Sequence, residues 1–225
     1  MRLPVLLFDV DLTLVDTGGA GRAAMRWAFA ASGLPTEPLE GLLYDGRTDR
    51  AIFREALARV GLGGAAMEEA YDVVVERYLE RLPAELEARD GRVLPGVPDV
   101  LARCRAFGYR VGLATGNFRR GAERKLSHFG LWEAFAGGGF GDDTEVRADL
   151  VAAALRELGH AGAAAWVIGD TPRDVEAAHA AGARAIAVAT GRYSTEELAA
   201  AGAEIVLPDL SELVGRLDEL AAQGS

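Results

Sequence analysis

Asp9 and Asp11, in Phe8-Asp9-Val10-Asp11-Leu12-Thr13, are two carboxylates two residues apart at the end of a short apolar run. Side chains alternate faces along an extended segment, so the spacing predicts both carboxylates on one side. Alone, such a pair repels and raises its own pKa values. A divalent cation among them removes that cost. Oxygen-only ligands suit Mg2+, which takes one or two carboxylates together with waters and phosphate oxygens. Gly169-Asp170-Thr171-Pro172-Arg173-Asp174 adds two carboxylates just before a helical pattern. Thr115-Gly116-Asn117 supplies a hydroxyl and free backbone N–H groups at a helix start, which is an anion site. The sum is a metal, an anion and a carboxylate at one edge of one sheet.

Short apolar runs are expected to deliver these groups. Val5–Phe8 leads into Asp9, 110–114 into Thr115, and 165–168 into Gly169-Asp170; 185–188 and 204–207 are two further runs. Continuous rather than alternating apolar character fits strands buried on both faces. Helical patterns lie between them at 97–107, 118–129, 147–158, 172–181 and 194–201, with Gly108, Gly130, Gly159, Gly182 and Gly202 placed as C-caps. Alternating strands and helices predict an α/β fold with a doubly wound, mostly parallel sheet, whose ligands bind outside the carboxyl ends of the strands. Residues 16–90 break the alternation with helical patterns at 20–31, 48–60 and 65–87. They are read as a smaller all-helical domain inserted into a core formed by 1–15 and 91–225. The Gly-rich stretch 137–141 reads as a loop and the tail 221–225 as frayed.

The chain of 225 residues carries a formal net charge of −10, which argues against general affinity for nucleic acid or anionic membrane. Cys104 is the only cysteine, excluding an intramolecular disulfide or a multi-cysteine metal site; it reads as a small buried hydrophobe. The first 15 residues do not resemble a signal peptide, and no uncharged apolar run reaches 18 residues. A cytoplasmic monomer or homodimer is expected. Lys125 is the only lysine.

The four-part pattern resembles the haloacid dehalogenase-like hydrolases, specifically phosphatase members with a helical cap inserted after the first strand. Asp9-Val10-Asp11-Leu12-Thr13 matches the family's first motif, Leu113-Ala114-Thr115-Gly116-Asn117 its second, and Gly169–Asp174 its fourth. The resemblance implies that Asp9 attacks phosphorus and becomes an aspartyl phosphate. Asp11 would protonate the leaving alkoxide and then deprotonate water. It further implies Mg2+ held by Asp9, the Asp11 carbonyl and Asp170, with Asp174 beside it, and phosphoryl oxygens bound by Thr115, Gly116 and Asn117. Small phosphorylated metabolites are the implied substrates, and phosphoglycolate phosphatase-like activity is the nearest specific expectation. An acid at Asp11 favours phosphate esters, because members that dehalogenate or cleave carbon–phosphorus bonds generally lack it.

Two positions depart from the commonest pattern. The family usually has a lysine in its third motif; Lys125 comes too early, and Arg147 is the matching position, a charge that can bind phosphate bidentately. A solvated helix-start arginine is the alternative. Lys125 then reads as a solvated helix charge, or else as an ion pair near the site. Leu12 stands where glycine is common, so positive-φ turns should be less accessible and the loop modestly adjusted. In the family's capped members a comparable loop dips over the substrate, so the resemblance implies that Arg47 or Arg50 reads its non-phosphate end; an ordinary capped helix start is the alternative. Asp142 and Asp143 read as loop residues, Arg119 and Arg120 as solvated charges, the three tryptophans as packing groups, and His128, His160 and His179 as structural or surface residues. A sugar phosphomutase and a non-catalytic phospho-ligand binder are the competing functions.

Overall fold

The computed structural model describes residues 3–142, 144–159 and 165–223. In chain order the elements are β1 (Val5–Phe8), β2 (Val15–Asp16), α1 (Ala20–Ala31), α2 (Asp49–Arg59), α3 (Gly64–Glu87), β3 (Arg92–Val93) and α4 (Val97–Phe107). There follow β4 (Arg110–Ala114), α5 (Arg119–His128), β5 (Gly138–Gly139), α6 (Arg147–Glu157), β6 (Ala165–Gly169), α7 (Pro172–Ala180), β7 (Arg184–Val188), α8 (Thr195–Ala200), β8 (Ile205–Leu207) and α9 (Leu213–Gln223). Asp143 and His160 lie outside the described residues, as do Gly224 and Ser225.

A six-stranded parallel sheet runs in the order β5-β4-β1-β6-β7-β8. Strand β1 is central and all four of its residues are buried, as its unbroken apolar run requires. Alternation sorts the strands onto two faces. Leu6, Phe8, Val111, Leu113, Trp166, Ile168, Ile186 and Val188 pack with α4, α5 and α9. Val5, Leu7, Ala165, Val167, Ala185 and Ala187 pack with α6, α7 and α8. Cys104 is fully buried in the first of these layers, where burial pushes its thiol up to about 12.

Two expectations for this domain are corrected. Gly138 and Gly139 form an edge strand against Leu113 and Ala114 rather than a loop. They must be glycine: a Cβ at Gly139 would stand 1.8 Å from the Leu150 carbonyl oxygen, and one at Gly138 2.4 Å from that of Leu113. Of the tail read as frayed, 221–223 are helical as the end of α9, whereas Gly224 and Ser225 lie outside the described residues.

The helical insert has its own core, built from Ala24, Ala28 and Phe29 of α1, Ile52, Phe53 and Leu57 of α2, and Val74, Tyr78 and Leu82 of α3. Phe118, from the sheet domain, completes it. The chain enters and leaves the insert through the antiparallel β2–β3 ribbon, which pairs Val15 with Val93 and Asp16 with Arg92. Two-residue strands carry too little pattern to be read from sequence. Among the described residues no helix is long and apolar enough to cross a membrane.

Candidate active site

Asp9, Thr115 and Asp170 are each the first residue beyond the carboxyl end of a strand, β1, β4 and β6 respectively. Those strands are neighbours, so the three side chains converge. Asp9 keeps the strand register for one more bond, its N–H donating to the Ile168 carbonyl at 2.9 Å. Asp174 enters from the first turn of α7, where it completes a capping box. Its Oδ2 accepts from the Thr171 hydroxyl at 2.7 Å and the Thr171 N–H at 3.1 Å.

Carboxylate oxygens of Asp9, Asp170 and Asp174 all lie within 4.8 Å of one another. Arg147, at the start of α6, is drawn into this group rather than solvated, its side chain only 10% exposed. Its guanidinium contacts Asp9 Oδ1 at 2.9 Å, donates through Nε to Asp174 Oδ1 at 2.9 Å, and reaches the same oxygen through Nη2. Burial works against its charge, but Asp174 and Asp9 more than compensate and hold its pKa above the usual value. One guanidinium against three buried carboxylates leaves excess negative charge. Burial, opposed by Arg147, pushes Asp9 up to about 6, and burial with the neighbouring Asp174 and Asp9 pushes Asp170 up to about 9. Hard oxygen donors carrying uncompensated charge fit a divalent cation.

The Asp11 side chain does not join this group, contrary to the alternating-face expectation. The chain stops being extended after Asp9: Asp11 bridges to Val15, and Leu12 adopts φ 57°. Leucine therefore takes up the left-handed conformation that had seemed less accessible to it. The Leu12 N–H donates to the Val15 carbonyl at 2.8 Å and its carbonyl accepts from the Thr190 hydroxyl at 2.5 Å. These bonds over-determine a backbone that costs about 1–3 kcal/mol. Of the four residues expected at a metal, Asp9, Asp170 and Asp174 bring their side chains together, and Asp11, expected to offer its backbone carbonyl, turns its side chain elsewhere.

Asp11 Oδ2 instead accepts from Lys125 Nζ at 2.6 Å and from Asn117 Nδ2 at 2.8 Å. Lys125 also donates to Asn117 Oδ1 at 2.5 Å, and Asn117 Nδ2 to the Thr115 hydroxyl oxygen at 2.8 Å. Thr115 in turn stands beside Asp9, at the end of the neighbouring strand, and works against the rise in the Asp9 pKa. Lys125 is 4% exposed, so the solvated reading is wrong and its ion-pair alternative holds. The missed signal was periodic. Gly121, Ala122, Lys125 and Leu126 are the buried residues of α5, spaced as one helix face.

The insert closes over this edge. The Asp49 N–H donates to the Gly116 carbonyl at 2.7 Å, and Asp49 Oδ2 accepts from the Phe118 N–H at 3.0 Å. Burial, opposed by Lys125, pushes Asp49 up to about 6. Arg50 reaches the Asp142 carbonyl at 2.9 Å, Arg192 pairs with Asp45 at 2.7 Å, and Arg120 with Glu76 at 2.5 Å. A cavity of about 320 Å³ remains, lined by Asp9, Asp11, Asn117 and Arg147 below and by Arg22, Tyr44 and Arg47 above. Arg47 lines it, but its guanidinium is bonded to Glu55 at 2.5 Å and to the Leu43 carbonyl at 3.2 Å. Arg22 lies 4.7 Å over the Tyr44 ring with no carboxylate partner among the described residues.

A family model described as haloacid dehalogenase-like hydrolase matches residues 6–179. A probable phosphatase, IndB, of Dickeya dadantii is 30% identical over 94% of this chain and 92% of its own. A phosphoglycolate phosphatase of Caulobacter vibrioides is 28% identical over 90% and 85%. Among solved structures, CbbY of Rhodobacter sphaeroides in complex with phosphate aligns with a TM-score of 0.70 and 26% identity, covering 96% of this chain and all of that one. Sequence and fold agree over nearly the whole length: the chain belongs to the haloacid dehalogenase-like hydrolases.

Proposed function

We propose that the protein is a Mg2+-dependent phosphomonoester hydrolase of a small phosphorylated metabolite. The observation that supports it most is the placement of Asp9 against the Arg147 guanidinium in one cavity that the Asp11 side chain also lines. An Asp9 carboxylate oxygen attacks phosphorus and the ester P–O bond breaks. Asp11 gives its proton to the departing alkoxide, which leaves as the alcohol. Water then attacks the aspartyl phosphate and passes a proton to Asp11. The P–O bond to Asp9 breaks, releasing phosphate and regenerating the Asp9 carboxylate and the protonated Asp11.

Arg147, Thr115 and the backbone N–H groups of Gly116 and Asn117 hold the phosphoryl oxygens, and their fixed dipoles meet the charge that develops in transfer. Asp9, Asp170, Asp174 and the Asp11 carbonyl would hold Mg2+, which when bound supplies the positive charge that the buried carboxylates lack. Closure of the cap excludes water while the ester is cleaved. A cavity of about 320 Å³ suits a small ester, and Arg22 at its cap side, which stacks on Tyr44 and has no carboxylate partner among the described residues, favours a second acidic group on it. Phosphoglycolate is the simplest compound of that kind, and several relatives carry the corresponding name.

The test is phosphate release from a panel of monoesters with Mg2+ and with EDTA. Turnover should require metal and vanish in Asp9→Asn. Activity unchanged in EDTA or in that variant overturns the mechanism. Interconversion of hexose phosphates without phosphate release would establish a mutase instead.

A further inference from the structure

Lys125 is an expensive residue for its place. The rest of its helix face is Gly121, Ala122 and Leu126, and a methionine would fill the same space without a charge to compensate. Burial opposes its ionisation, yet Asp11 and Asp49 more than offset this and raise its pKa. The ammonium is shut in by both domains. Asp11 and Asn117 are its partners on the sheet side, and a Cβ at Gly21 of the cap would stand 3.8 Å from both Nζ and the Tyr78 hydroxyl.

Both donors to Asp11, Lys125 Nζ and Asn117 Nδ2, converge on Oδ2. Oδ1 has no partner among the described residues, and the Asp11 side chain lines the cavity with 40% of its surface exposed. We infer that Lys125 is a positioning residue for the acid–base step: with Asn117 it fastens Oδ2 of Asp11, so that Oδ1 faces the ester oxygen and, later, water. Asn117 also bonds Thr115, which stands beside Asp9 at the end of the neighbouring strand, so one line of side chains joins the proton-transfer group to the nucleophile's strand end. The inference rests on the phosphatase reading above and adds to it a role for a residue outside the matched motifs.

A fastened acid matters in proportion to how badly the leaving group needs a proton. The test therefore compares 2-phosphoglycolate, whose glycolate departs as an alkoxide, with 4-nitrophenyl phosphate, whose phenolate departs unaided. For Lys125→Met, single-turnover cleavage of 2-phosphoglycolate should fall by about 100-fold, and that of 4-nitrophenyl phosphate by about fivefold or less. KM should stay within about threefold of wild type, since the phosphate-binding groups remain. Lys125→Arg, which keeps a donor, should recover part of the lost ratio, which a purely structural role would not do.

Unfolding midpoints of all variants are measured alongside. If Lys125→Met does not fold, Lys125→Gln is read by the same ratio. Equal loss on both substrates, or no loss on either, overturns the inference while leaving the phosphatase reading intact. A wild-type protein inactive on every monoester with Mg2+ overturns both.

Discussion

Replacing Gly116 by alanine tests whether the closed cap matters to the reaction. Gly116 is not in the left-handed region, so alanine costs its own backbone nothing. It should even gain about 0.4–1 kcal/mol by restricting the unfolded chain. The penalty is all in closure. A Cβ at Gly116 would sit 2.2 Å from the Arg47 carbonyl oxygen and 2.9 Å from Thr48 Cα. Carbon–oxygen contact begins near about 3.3 Å, so the cap loop must retreat by about 1 Å. The Asp49 N–H bond to the Gly116 carbonyl, 2.7 Å long, would be stretched out of range. Its loss costs about 1 kcal/mol, and a shift of about 1 Å at a reacting centre costs about 100-fold. Steady-state turnover of 2-phosphoglycolate should therefore show kcat/KM lowered by about 100-fold or more. Inhibition by inorganic phosphate should change little, because the backbone N–H groups are kept. A kcat/KM within about threefold of wild type would show that closure as seen here is not needed for the reaction.

Other consequences follow from the same geometry. Arg147→Ala strips the charge facing Asp9 and Asp174; we expect turnover to fall by about 100- to 1,000-fold. The metal-free protein should also lose about 3 kcal/mol in denaturant titrations. Asp9 and Asp170 bind protons more tightly folded than unfolded, with values near 6 and 9 against a reference of 3.8. Their contribution to metal-free stability is therefore present at acid pH and is lost as pH rises through those values. A divalent cation held by these carboxylates would displace the same protons, so calorimetry with Mg2+ should show affinity rising about tenfold per pH unit while one proton is released. Arg22→Ala should raise KM for 2-phosphoglycolate by about tenfold, through a lost charged hydrogen bond, and leave 4-nitrophenyl phosphate almost unaffected.

The strand ends were legible because a buried parallel strand announces itself twice, by an unbroken apolar run and by the polar residue that stops it. Asp9, Thr115 and Asp170 were located in this way. Helix limits came within a residue or two because most carry glycine or proline punctuation. The Gly138–Gly139 strand was not legible, since what demands glycine there is the Leu113 and Leu150 backbone, which no local pattern records. Leu12 was misjudged because propensity weighs one residue's backbone alone, whereas Val15 and Thr190 hold it from outside. Lys125 was judged by its charge when its position on the α5 face was the better guide.

The burial of Lys125 has a practical consequence. The chain has one ε-amine, and it is 4% exposed beneath the closed cap. Acylating reagents can reach it only through an opened form, so the rate at which it is labelled in native protein reports how often the cap lifts. Because no other lysine competes for the reagent, intact mass alone can follow the labelling once the α-amine is accounted for. The molecule thus carries a single-site clock for its own opening, and a tight-binding anion should slow that clock.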